Sequence, residues 1–359
     1  MAYTDIDDPS EYFGTTLYTG NETARAITFD GNSDLDVDWI WLKSRSATGN
    51  HHVYDTVRGT QKHLRTNLTN VEGTNGGTDG VTAFSSNGFT VGANTGSNAD
   101  GVTFVGWGWK AGTSFSNDAS STSVGSIDSA GSVSTDAGFS IITYTGTGSN
   151  GTIAHGLGVK PNIIINKTRD TTAQMWSFYH SSLGATKHLG LDRVNAVDTG
   201  AAYYQDTEPT STVFSVGSES ATNHNGAAMI AYCFADVQGY SKFGKFIGNG
   251  NADGPYIHLG FAPAFIIYKH TTDGHSWIME DVKRNIAGNG YLNGPASREF
   301  YPDATNAEAT PGPRFDFLSG GFKIRETSAD INESGSTFIY MAFAENPFVS
   351  STGIPATAR

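Results

Sequence analysis

Short apolar runs alternate along this chain with stretches of Gly, Ser, Thr, Asn and Asp, and glycine interrupts them too often for helices to form. The clearest runs are "DWIWLK" (38–43), "NIIINK" (162–167) and "AFIIYK" (264–269), each ending on lysine. Read with a period of two, Trp39, Trp41 and Lys43 point to one face and Ile40 and Leu42 to the other. Ile163, Ile165 and Lys167, and then Phe265, Ile267 and Lys269, fall on the same face in the later copies. Apolar residues on both faces predict a central strand covered on each side. Pro161 and Pro263 stand at the strand starts, where no ladder hydrogen bond is lost.

The lysine strand is one phrase of a longer repeat. "LYTGN" (17–21), "TYTGT" (143–147) and "KFIGNG" (245–250) precede it. "DTVRG" (55–59), "HSSLG" (180–184) and "DVKRN" (281–285) follow, then "SNGFTV", "TVFSV" and "GGFKI", and each copy closes on "VGWGWKA", "IAYCFAD" or "YMAFAEN". Order and spacing recur together, which is the signature of an internal repeat. The expected fold is all-β, with three tandem antiparallel β-sandwich repeats of about 100 residues, jelly-roll or lectin-like. The repeats span 1–112, 138–238 and 239–348, a Ser/Gly-rich linker fills 113–137, and 349–359 is a C-terminal arm.

Glycine, at 44 of 359 residues, supports many tight turns. The formal charge of −13 and the lack of a Lys/Arg cluster argue against a nucleic-acid partner and an anionic membrane surface. No apolar stretch suits membrane insertion, and the polar, acidic start "MAYTDIDDPSEYF" is unlike a signal peptide. The lone Cys233 cannot form an intrachain disulfide, which fits synthesis in a cytosol.

Candidate chemistry is sparse. Lys43 with Asp55, and Lys269 with Asp281, resemble a catalytic pair, but His180 replaces the acid in the second copy, so a structural ion pair or a snorkelled lysine is the simpler reading. Asp30, Asn32, Asp34 and Asp36 alternate as calcium ligands do, although Leu35 and Trp41 stand where a helix-flanked calcium loop needs Gly and an acid. They are carried as a candidate Ca2+ turn, the only cofactor suggested. Trp176, Tyr203 and Tyr204 lie near loops and are candidates for stacking on a sugar. There is no metalloprotease, nucleophile-elbow or phosphate-loop motif, and no catalytic residue is assigned.

The phrases "TDIDDPSEYFGTTLYTGN", "DWIWLKSRS", "HHVYDTVRGTQKHL", "SNGFTVG" and "FAENPF" resemble a family of marine tailed-phage proteins labelled tail fibre or uncharacterised virion protein, over about residues 3–348. The resemblance implies a non-enzymatic protein of the virion surface, made in the host cytoplasm. Its implied partners are other virion proteins of tail or capsid and a host receptor or glycan. Phage fibre heads are commonly trimeric, which together with multivalent display implies a homotrimer. The alternatives are a capsid decoration protein and a glycan-active enzyme or free lectin.

Overall fold

The computed structural model describes residues 3–355 except 77–78, 172, 285–296 and 313. It is all-β, built from antiparallel sheets with only short helical turns. Three segments of chain each form a main sheet with the same four-strand kernel: opening strand, closing strand, lysine strand, return strand. In the first segment these are Phe13–Thr19, Thr103–Trp109, Trp39–Ser44 and His52–Asp55. In the second they are Phe139–Thr145, Ala228–Phe234, Ile163–Thr168 and Ser177–His180. In the third they are Ser241–Ile247, Thr337–Pro347, Phe261–His270 and Ile278–Asp281. The register repeats as well, pairing Trp39 with Trp109, Ile163 with Phe234 and Phe265 with Phe343.

The two faces of each lysine strand serve different cores. Ile40 and Leu42 pack with Ile27, Val81 and Phe89 of a small sheet beside the first main sheet. Ile164 and Ile266 are the counterparts in the second and third segments, each within its own apolar cluster. The other face points to a single shared core, where Trp39 and Trp41 meet Ile163 and Ile165 and also Phe265 and Ile267. Each opening strand leans on the preceding segment. Phe139 lies 5.7 Å from Trp39 between ring centroids, and Phe243 lies 6.1 Å from Phe234. Phe13 closes the circle, 5.3 Å from Phe343 and 5.7 Å from Phe265. Aromatic rings bury large apolar areas, so this core ties the three segments into one body.

Two expectations need correction. The stretch 113–137 is not a free linker: Thr113–Asn117 and Ser129–Ser134 are strands added to the edge of the second main sheet. Between them Asp118 caps the short helix Ala119–Thr122 by accepting from Ser120 and Ser121 amides. An edge strand is held by its backbone ladder, so Ser and Gly suffice, and only Phe115 and Val133 need reach the second core. Pro263 lies inside its strand, not at its start, at a bulge between Ala262 and Phe265 where the missing N–H is absorbed. At the chain's end, the Ser351 amide and hydroxyl donate to Asp7, and Val349 bridges Pro355. The rest of the expected arm, 356–359, lies outside the described residues.

Candidate functional site

The repeated lysines occupy the same strand position and are fully buried. Each belongs to a seam between segments. Lys167 Nζ donates to the Thr69 carbonyl of the first segment (3.1 Å) and to Gln174 O (2.7 Å). Lys269 Nζ donates to the Val194 carbonyl of the second segment (2.9 Å) and to His275 O. Lys43 Nζ donates to Ser44 O (3.0 Å) and sits 5.1 Å from the Phe300 ring of the third. Burial pushes all three ammonium groups down to about 8. Two residues beyond each lysine, a carbonyl receives an amide from the neighbouring segment: Glu72 N to Arg169 O (2.6 Å), Val197 N to Thr271 O (2.9 Å) and Glu308 N to Arg45 O (2.8 Å). The cycle runs in one direction and closes.

The expected Lys–Asp pairing does not occur, because lysine and acid lie at opposite ends of the paired strands: Asp55 is opposite Trp39 and not Lys43. Asp55 instead binds Arg58 (2.6 Å) and accepts from Tyr232 OH of the second segment (2.8 Å). Asp281 binds Arg284 and accepts from Trp107 Nε1 of the first segment (3.0 Å). Glu72 joins Arg58 (3.3 Å) to Arg169 (2.9 Å), and Glu308 joins Arg284 (3.4 Å) to Arg45 (2.8 Å). Burial opposes ionisation of Glu72 and Glu308, but the arginines hold both carboxyls below the usual range.

The seam between the second and third segments changes all of these partners together. His180 replaces the aspartate, Leu183 the arginine, Val197 the glutamate and Thr271 the second arginine, while Met341 stands where Trp107 and Tyr232 stand. His180 Nε2 donates to Tyr340 O (3.2 Å) and its Nδ1 accepts from Ser182 N (3.0 Å), the neutral ring. Burial pushes its pKa down to about 4. An aspartate there would face no donor from Met341 and no arginine, so a neutral ring avoids an unpaired buried charge. These groups join segments.

The proposed sugar platform is not formed. Trp176 is buried in the shared core with Nε1 donating to Arg65 O (2.8 Å), a contact that Trp277 repeats on Gly190 O (2.8 Å). Tyr204 is buried against Ser177 and Asn166. Tyr203 has one face covered by His188, 3.5 Å away between centroids. Among the calcium candidates, Asp30 pairs with Lys283, while Asn32, Asp34 and Asp36 are exposed. Leu35 and Val37 turn inward between them. Among the described residues, no group of three or more His, Cys, Asp or Glu could hold a metal ion. Cys233 is buried, and desolvation pushes its thiol up to about 12.

A recess the sequence reading did not isolate lies where the third segment meets the first, with a volume of about 290 Å³. Phe13 and Phe29 form part of its wall, and Asp8, Asn32, Lys283 and Asn346 lie around it. Asp30, Gly31 and Asn32, the start of the "DGNSD" turn, thus line the recess. Among the described residues, no helix is long and apolar enough to cross a membrane.

A family model described as a domain of unknown function (DUF7483) matches residues 8–347. No curated protein and no solved structure matches the chain.

Proposed function

The chain belongs to the family described as a domain of unknown function, DUF7483, and from that premise we propose that it is a structural and adhesion protein of a bacteriophage surface appendage. In this reading it folds as three antiparallel β-sandwich repeats closed into a ring, and it works by presenting loops. The observation that supports it is the closed cycle of seam contacts. The buried lysines, the Asp–Arg pairs and His180 are engaged in joining segments, which suits a rigid display scaffold. The resemblance to marine tailed-phage proteins supplies the particle, its other virion proteins and a host receptor or glycan as partners. One chain already brings three segments around one core, so self-association into a homotrimer would add multivalency to a body that is closed by itself.

The test is localisation. Mass spectrometry of purified virions is expected to find the chain among the structural proteins, and cryo-EM to place its density on the outside of the tail. Density on the capsid would favour the decoration reading. Absence from virions would exclude both, leaving a free lectin or glycan-active enzyme.

A further inference from the structure

We propose that the recess between the third and first segments binds a single neutral sugar ring. Besides the partners exchanged at the seam of the second and third segments, the three segments differ at one further pair of matched positions. Five residues before the lysine stands Asp38, Asn162 or Ala264, and the residue after each return strand is Thr56, Ser181 or Val282. Asp38 binds Thr56 and accepts from the Ala111 and Gly112 amides, where the chain leaves the first segment. Asn162 binds Ser181 and accepts from the Asp236 amide, where the chain leaves the second. Both side chains fill their seam and fasten the connecting backbone. The third segment has neither an acid or amide nor a hydroxyl at these two positions. With Ala264 and Val282 at the matching positions, the space stays open as the 290 Å³ recess.

The lining sets the ligand chemistry. Phe13, Phe29, Ala264 and Val282 supply apolar surface. Asn32 and Asn346 supply polar groups, Asp8 beside them already accepts from Ser10 and Ser33, and the Thr15 hydroxyl is buried without a hydrogen-bond partner. An anion would meet Asp8 and Asp30 against the Lys283 ammonium, which is already paired with Asp30. An apolar ligand would strand the polar groups. A ring with one C–H face and several hydroxyls satisfies both kinds of surface, and the volume sits at the small end for ligand pockets. Only the biological source of the sugar rests on the adhesion reading; the site itself does not.

Saturation-transfer NMR on the full chain tests this with glucose, galactose, mannose, fucose, N-acetylglucosamine and glucuronate, each at about 10 mM to detect millimolar affinity. Transfer to at least one neutral sugar is expected, with glucuronate weaker than glucose. Asn346→Ala should weaken binding about tenfold, the effect of one lost hydrogen bond of ~1.4 kcal/mol. Ala264→Leu should abolish it by filling the recess, with an unchanged far-UV spectrum showing that the variant folds. No transfer from any neutral sugar, equal transfer to glucuronate and glucose, or transfer unaffected by Asn346→Ala would overturn the assignment. Phage lacking the chain yet adsorbing normally would instead refute the adhesion reading and leave the sugar site standing.

Discussion

At the scale of single residues, the seams show how a repeat tolerates substitution when partners change together. Asp55 is completely buried with Arg58, and Tyr232 reaches it from the next segment. Asp55→Ala strips that buried guanidinium of its closer carboxylate, leaving only Glu72 at 3.3 Å, and is expected to cost about 3 kcal/mol, measurable by urea unfolding. His180→Asp should also destabilise, because Leu183 and Met341 offer an acid nothing. Combining it with Leu183→Arg and Met341→Tyr should recover part of the loss, and strictly additive losses would show that the three positions are not coupled. This coupling could be read from the sequence by aligning the three copies column by column, since Asp/Arg/aromatic and His/Leu/Met travel as sets. Which segment each set contacts could not be read that way.

At the scale of elements, the strands with apolar alternation were legible and the edge strands were not. The lysine strands needed no tertiary information, because both faces are apolar. Thr113–Asn117 and Ser129–Ser134 carry almost no apolar signal, and a neighbouring backbone decides their structure. A Cβ on Gly131 would come within 1.8 Å of the Ile141 carbonyl oxygen, so only glycine allows this close approach. Gly131→Ala is expected to peel the edge pair from the sheet. Limited proteolysis should then cut first within 113–137, whereas the parent chain should resist there; early cutting of the parent would refute the edge-strand assignment.

At the scale of the whole molecule, buried bases make stability depend on pH in two windows of known sign. Burial pushes His52 down to about 3 and His180 to about 4, both below the ordinary value of 6.5. Between those values and 6.5 the unfolded chain binds more protons, so stability is intact above 6.5 and falls as pH drops. Each ring contributes up to about 1.4 kcal/mol per pH unit within its window. The lysines, near 8 when folded and 10.5 when unfolded, make stability rise with pH across that interval. Burial raises the pKa of Tyr144, Tyr204 and Tyr232, so ionisation in the unfolded chain reverses the trend above about 10. Melting temperatures from pH 4 to 11 should therefore climb on the acid side and turn over on the alkaline side. A flat acid limb would contradict the neutral burial of His52 and His180.

The sequence alone determined the all-β class, the threefold recurrence and the strands that bear the lysines, because alternation, turn residues and repeat spacing are local properties of the chain. Tertiary structure decided that one face of every lysine strand meets a shared core, since a buried face does not name its partner. It also turned the apparent linker into edge strands, took Trp176 and Tyr204 out of solvent, and moved Asp55 from Lys43 to Arg58 and Tyr232. The recess arises from the same cause: only closing the ring brings Ala264 and Val282 against Phe13 and Phe29, from opposite ends of the chain.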